Sequence, residues 1–593
     1  MKKTIKKVFA MVFAALMLMG VMSVAYADEG KPADNAISVS GLEAGDTVNF
    51  YQVLKYDETA AKTGGWVNAT GFTLTDAEIQ TILALDATGK PVTITDSNRD
   101  NYGISAALAG KIAQMAQAQG VSAKFKDIAA NNDKVATATT DQAGDSGLYV
   151  ALITPGTADY LYNPVFVSAD YTEGGTNSQA AALDKSYSPA AVAKKEQVTL
   201  TKEIDGTEDT KYDVNVGDTV PFTITSKVPA YTSSYKEPTY VITDTMEEGL
   251  ELQGTPVVAI EGITLADSDY SVVSANDKKS FTVTLTEGGL GKVAATGVAQ
   301  TITVKYSAKV TSIENATVTE KENEATVKFS NNPEDETSYS LLEDKTRNYS
   351  FTIDGSLLGY DGTSYETDEL IKVGLNADGT PYTETKKYRS GTTWSELAPL
   401  QGATFGLYSS KTDAENKTTN YYKNSVFTGT VQSDATGRLK IEGLDAGTYY
   451  LRELSAPTGF IADNRIFEIK ISAEYTEIEG GQYTNSDGIK VKYDAYKVLK
   501  SYQVEVNDGT TTVTSAYSIS NKGEVDHKVV DKATYQTITG EDFAGDSVTP
   551  INNTRGTELP STGGMGTTIF YVIGGLLILA AAIVLISRRK VQQ

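Results

Sequence analysis

Short runs that alternate apolar with polar residues recur along most of this chain and constrain its fold more than any other feature. Val198-Thr199-Leu200-Thr201-Lys202, Phe222-Thr223-Ile224-Thr225, Phe281-Thr282-Val283-Thr284-Leu285 and Thr301-Ile302-Thr303-Val304-Lys305-Tyr306 are rich in β-branched and aromatic residues at every second position. That spacing gives a strand one face for a core and one for water. Gly, Asp and Asn turns separate the runs. Many short strands at regular spacing predict a mainly β chain of tandem immunoglobulin-like β-sandwich domains. The exception lies near the start. Ala106 to Ala118 is Ala-rich with apolar residues at helical spacing, so the N-terminal sandwich should carry one or two inserted helices.

The two ends carry a different pattern. Lys2, Lys3, Lys6 and Lys7 precede an apolar run from Val8 to Met22, and Ala25-Tyr26-Ala27 supplies small residues for cleavage. This reads as a signal peptide over residues 1–27; the run is short for a membrane anchor. At the other end, Leu559-Pro560-Ser561-Thr562-Gly563 is followed by an apolar stretch from about Thr567 to Ile586, then by Arg588, Arg589 and Lys590. The stretch is long enough to span a bilayer as a helix, and the basic end suits a cytoplasmic side. Together these three parts resemble a sortase cell-wall sorting signal. The resemblance implies that a sortase cysteine attacks the Thr562 carbonyl, releases Gly563 onward and holds the chain as a thioester until an amine resolves it. The plainer alternative is a simple membrane-anchored protein.

Composition narrows the chemistry. The 593 residues include no cysteine, so a secreted chain of this size is held together without disulfides. A single histidine, His527, removes most metal, Ser-His and Cys-His chemistry, and no metal or cofactor is expected. The net charge of -24 becomes about -31 once both ends are removed, since they carry seven basic residues and no acid. Such a surface excludes a general nucleic-acid-binding role. The remaining stretch of about 535 residues has room for three or four domains. Boundaries are expected near Ala193, after the loose segment Thr172 to Ala191, and near Tyr339, after the turn-rich Asn331-Asn332-Pro333-Glu334-Asp335. This gives domains over 28–192, 193–340 and 341–556, a sorting motif over 557–563 and a helix with basic tail over 564–593.

The most specific internal motif is Tyr449-Tyr450-Leu451-Arg452-Glu453-Leu454-Ser455-Ala456-Pro457-Thr458-Gly459-Phe460, downstream of Gly402-Ala403-Thr404-Phe405-Gly406-Leu407-Tyr408. It resembles the collagen-adhesin B-type domain with its "E-box", although Leu454 and Phe460 stand where the family usually has Thr and often Tyr. The resemblance implies an intramolecular isopeptide bond between a lysine on the first strand and an asparagine on the last, assisted by the E-box glutamate. Burial between apolar sheets makes this plausible chemistry: it lowers a lysine's pKa towards a neutral nucleophile and raises a carboxyl's, so that a protonated acid polarises the amide. By position the residues are Lys372 in Leu370-Ile371-Lys372-Val373, Glu453, and Asn553 in Ile551-Asn552-Asn553-Thr554, with Asn552 as the alternative. The long interval between Glu453 and Asn553 points to an insertion.

The preceding domain resembles the middle domain of sortase-assembled Gram-positive major (backbone) pilins. It runs from Thr199-Leu200-Thr201-Lys202-Glu203-Ile204 through Val241-Ile242-Thr243-Asp244-Thr245-Met246 to Asn323-Glu324-Ala325-Thr326-Val327. The resemblance implies a Lys202–Asn323 bond assisted by Asp244. The first domain has no comparable acid motif, and no such bond is expected there. Backbone pilins also carry a polymerisation lysine, often in a Val-Tyr-Pro-Lys setting, before the middle domain's bonding lysine. The matching stretch, Ala191-Val192-Ala193-Lys194-Lys195, lacks the Tyr and Pro; spacing to Lys202 favours Lys194, with Lys195 second.

The resemblance therefore implies a structural subunit of a cell-wall-anchored pilus rather than an enzyme. Lys194 of one copy would take the Thr562 thioester of another, a head-to-tail joint that does not close and so builds a filament. The implied partners are a pilin-type and a housekeeping sortase, further copies of the chain, minor pilins, peptidoglycan and a host or matrix ligand. The alternatives are a monomeric wall-anchored adhesin of similar domains and a wall-anchored glycosidase. The second lacks any cleft-forming α/β or barrel pattern.

Overall fold

The computed structural model describes residues 36–591 except 58, 141–143, 170–187, 206–211, 312–317, 356–369, 384, 391–392, 521–533, 538–548 and 557–564. The predicted signal peptide and the motif Leu559 to Gly563 therefore lie outside the described residues. The chain forms two compact units. One comprises residues up to Ser350 together with Glu474–Lys500 and Ile519–Thr534; the other comprises Phe351–Ala473, Ser501–Ser518 and Tyr535 onward.

In the first unit, strands β1 (Thr47–Tyr56), β2 (Gly147–Thr154) and β3 (Val165–Ala169) lie side by side as an antiparallel sheet. Helices α1 (Asp76–Leu83) and α2 (Ala106–Ala116) pack with it, sharing a core of Leu54, Trp66, Ile79, Ile112 and Val150. Helix α2 is the one the spacing of Ala106 to Ala118 predicts; α1 lies outside that stretch. Thr75 and Glu78 close a capping box at the start of α1, and the Ser105 side chain caps α2. Gly110 on α2 has a packing reason: a Cβ there would meet the Ser233 hydroxyl at 2.1 Å.

The middle domain, in the same unit, is a sandwich. One sheet holds β4 (Leu200–Ile204), β5 (Thr219–Val228), β7 (Leu250–Ile260) and β9 (Gln300–Val310), in the order β4-β5-β9-β7. The facing sheet includes β8 (Ser280–Leu285), β6 (Tyr240–Met246), β10 (Val318–Ser330) and β11 (Tyr339–Gly355), in that order. Phe222, Ile224, Tyr240, Ile242, Phe281, Val304 and Val327 fill the space between them. The expected boundary near Tyr339 falls on the first residue of β11. Between Glu453 and Asn553 lies a hairpin, Gly481–Thr484 with Lys490–Tyr493, whose second strand runs parallel to Leu341–Glu343 in this unit.

In the second unit, β12 (Leu370–Leu375) pairs in parallel with β15 (Thr549–Arg555), the last strand among the described residues. Against Ile371 and Val373 lies Leu397. A second sheet contains β13 (Thr404–Tyr408) and β14 (Gly447–Ser455), which pair antiparallel, and β14 pairs onward with Ile466–Ile471. A helix, α3 (Met565–Val591), follows the position of the sorting motif and covers the predicted apolar stretch. Leu576 to Leu579 and Ile583 to Ile586 expose their side chains.

Candidate functional site

Two buried clusters bring together the residues that the sequence singles out. In the middle domain, alternation along β4 turns Leu200, Lys202 and Ile204 to the core, with Lys202 opposite Ile224 of β5. The lysine is thus carried inward on an apolar face. On the facing sheet, Asp244 of β6 stands opposite Ala325 of β10, and Asn323 opposite Met246. Two residues apart on one strand face, these positions aim at the same point.

The side chains of Lys202 and Asp244 are wholly buried, and Asn323 is 0% exposed. Lys202 Nζ pairs with Asp244 Oδ2 and donates to the Tyr306 hydroxyl at 2.7 Å. Tyr306 donates to Asp244 Oδ2 at 2.8 Å and accepts from Asn323 Nδ2 at 2.9 Å. Desolvation pulls the Lys202 amine down and pushes the Asp244 carboxyl up, in each case against the attraction of its partner. Both shifts favour a neutral amine beside a protonated acid. Beneath the lysine, Asp344 accepts the backbone N–H of Lys202, and burial raises its carboxyl to about 7.

The second cluster uses a different geometry. In the parallel pair, Lys372 stands opposite Ile551 and Gly374 opposite Asn553, so lysine and asparagine lie two positions apart on neighbouring strands. Asn553 faces the core at 0% exposure, whereas Asn552, on the other side of the pleat, is half-buried. Glu453 reaches in from β14, where Phe405 of β13 stands opposite it. Its Oε2 accepts from Lys372 Nζ at 3.2 Å, from Asn553 Nδ2 at 3.0 Å and from the Asp463 backbone N–H at 2.8 Å. Asn553 Nδ2 also donates to the Ile461 carbonyl at 2.8 Å. Burial brings the Lys372 amine down to about 8, although Glu453 opposes the shift.

Both clusters leave the same two atoms without a hydrogen bond. Asp244 Oδ1 and Asn323 Oδ1 are buried and unpartnered in one; Glu453 Oε1 and Asn553 Oδ1 are so in the other. A buried acceptor left bare costs about 1–3 kcal/mol. A proton on the carboxyl, donated to the amide oxygen, would satisfy both. An amine, an amide and an acid held together away from water are the ingredients for acyl transfer from the amide to the amine.

The candidate polymerisation lysines differ in setting. Lys194 is exposed. Lys195 is half-buried, pairs with Glu43, which also takes Lys134, and lies 4.9 Å from the centre of the Tyr160 ring. In the first domain, Asp46 is spent on structure, accepting from Tyr162 and from the backbone of Gly156. Sequence reasoning missed Tyr306, Asp344 and Asp463. A signal existed for the first: it is the one hydroxyl-bearing residue in the buried series Ile302, Val304, Tyr306, Ala308 and Val310.

Three segments of the chain match known protein families. Residues 216–333 match the family model of the Gram-positive pilin backbone subunit 2, Cna-B-like domain. Residues 393–484 match a prealbumin-like fold domain, and residues 551–593 the LPXTG cell wall anchor motif. The trypsin-resistant surface T6 protein of Streptococcus pyogenes serotype M6 is 27% identical over 478 residues, covering 77% of this chain and 81% of its own length. Among solved structures, the T6 backbone pilin of serotype M6 Streptococcus pyogenes superposes with a TM-score of 0.50 at 18% identity, covering 89% of this chain and 100% of that one. At that identity the superposition speaks for a shared fold.

Proposed function

We propose the following mechanism for a chain that belongs to the Gram-positive pilin backbone proteins and carries an LPXTG cell-wall anchor. It is a structural subunit of a surface pilus that polymerises with copies of itself after sortase processing. Our proposal is that its shaft is covalent both within and between subunits. Within the subunit, Lys202 joins Asn323 and Lys372 joins Asn553. The observation that carries this reading is the recurrence of one set of atoms in two unlike geometries: a buried lysine amine, an acid and an asparagine amide, with the acid's outer oxygen and the amide oxygen both bare.

In each reaction the neutral lysine amine attacks the asparagine Cγ, the C–Nδ2 bond breaks, and ammonia leaves. The lysine loses one proton and the departing nitrogen gains one, so the acid ends as it began. Asp244 and Glu453 polarise the amide and carry the proton; each acts once, which makes the chain a self-crosslinking scaffold and not an enzyme. The middle-domain bond would tie one sheet to the other, and the second would tie the first strand of its domain to the last. Neither strand could then be drawn out without breaking a covalent bond, so the benefit is kinetic.

Between subunits, the expected route joins the Thr562 carbonyl to Lys194 of the next copy, since Lys194 is exposed while Lys195 is engaged by Glu43. The apolar helix would hold the precursor at the membrane until sortase acts, and a housekeeping sortase would transfer the finished polymer to peptidoglycan. Wall extracts boiled in detergent test this joint. A ladder of covalent multimers that collapses to monomer in Lys194→Ala supports it. A ladder that persists in Lys194→Ala but is lost in Lys195→Ala moves the joint by one residue. Monomer alone in the unaltered strain leaves the single-copy adhesin.

A further inference from the structure

The two clusters solve the same proton problem with side chains of different length. In the second unit, one oxygen of Glu453 touches both the attacking amine of Lys372, at 3.2 Å, and the departing nitrogen of Asn553, at 3.0 Å. A proton taken from one can be given directly to the other. In the middle domain the acid is an aspartate, one methylene shorter. Asp244 Oδ2 touches Lys202 Nζ and the Tyr306 hydroxyl, and it is Tyr306 that contacts the departing nitrogen of Asn323, at 2.9 Å.

We infer that Tyr306 is a catalytic residue of the middle-domain crosslink, relaying the proton from Asp244 to the ammonia that leaves Asn323. This rests on the isopeptide reading above. The steps balance. Lys202 Nζ forms its bond to Asn323 Cγ while Asp244 lends the proton on Oδ1 to the amide oxygen, recovering it when the carbonyl re-forms, and takes the amine's proton at Oδ2. The Tyr306 hydroxyl rotates, donates its proton to Nδ2 as that nitrogen becomes tetrahedral and basic, and recovers one from Asp244. The C–Nδ2 bond breaks and ammonia departs; Asp244 and Tyr306 finish unchanged. A phenol suits this position because burial keeps it un-ionised: desolvation and the neighbouring Asp244 hold its pKa well above the ordinary value. It is therefore a donor that always has its proton. Its ring is fixed for the task by Phe222, stacked at 5.3 Å, and by Phe281, edge-on at 4.8 Å.

The test uses the mature chain, Asp28 to Thr562, with intact mass followed from the earliest harvest and the crosslinks mapped by proteolysis. Each bond removes one ammonia, ~17 Da. Tyr306→Phe keeps the ring and its packing. The expected result is prompt formation of Lys372–Asn553 and formation of Lys202–Asn323 at least tenfold slower than in the unaltered chain. Both bonds forming at unaltered rates would overturn the relay while leaving the crosslink intact. An unaltered chain with no Lys202–Asn323 bond would instead overturn the isopeptide reading itself. If Tyr306→Phe loses its thermal transition, Tyr306→3-fluorotyrosine decides the matter, because it preserves the packing and lowers the hydroxyl's pKa. A relay shifts the pH profile of crosslinking at Lys202, whereas an unchanged profile overturns it.

Discussion

Replacing Asn323 by alanine is the cleanest way to ask what a crosslink contributes, because it deletes the acyl half of the bond and leaves Lys202, Asp244 and Tyr306 hydrogen-bonded to one another. Removing Asp244 would confuse the result by stranding a buried lysine, itself worth about 3–5 kcal/mol. The Lys202–Asn323 bond would close a loop of roughly 120 residues; in the chain-entropy model a tie of that length stabilises the fold by about 5 kcal/mol. For a domain of about 150 residues, each kcal/mol shifts the midpoint by ~2–4 °C, so the middle-domain transition should fall by roughly 10–20 °C. Calorimetry of the mature chain, with intact mass on the same sample, reads both quantities. The expected outcome is a mass deficit of one ammonia instead of two and a transition lowered by that amount. A deficit of one ammonia with the midpoint unmoved would refute the entropic reasoning. A deficit of two would show that the bond lies elsewhere.

Glu453→Gln should abolish the Lys372–Asn553 bond and leave Lys202–Asn323 untouched, and peptide mapping distinguishes the two. Crosslinking at Lys372 requires the uncharged amine, whose pKa burial brings down to about 8. In freshly made protein kept acidic and then stepped to graded pH, the rate should rise up to about pH 8 and level off above it; a flat profile between pH 6 and 9 contradicts this. The Asp344 carboxyl is raised by burial to about 7, so the folded state holds a proton that the unfolded chain gives up near pH 4. Its stabilising contribution is full below that value and lost as pH rises through 7. The midpoint of the mature chain should therefore fall between pH 5 and 8, and Asp344→Asn, which keeps an acceptor for the Lys202 N–H, should flatten the curve.

Much of this design is written locally and is legible for that reason. Alternation along β4 alone places Lys202 among Leu200 and Ile204 on a core face, and the same logic separates Asn553 from Asn552 once β15 is known to be a strand. Helix α2 follows from its spacing and its cap. What escapes the sequence depends on pairing between distant segments. Nothing in Leu370–Leu375 or Thr549–Arg555 announces that they are parallel neighbours, yet that register sets Lys372 beside Asn553. The hairpin within Glu474–Lys500 pairs with a strand nearly 150 residues earlier in the chain and folds into the first unit; its sequence shows only that it is a strand pair. The role of Tyr306 is not written locally, because it comes from three partners on three other strands.

The central claim is that the subunit crosslinks itself at two places, and the intact mass of the purified mature chain, Asp28 to Thr562, tests it most directly. The expected value lies two ammonia molecules, ~34 Da, below the sequence mass, with Lys202–Asn323 and Lys372–Asn553 recovered as joined peptides. A mass equal to the sequence value would contradict it, leaving two buried acid–amine–amide clusters that pack the core and form no bond.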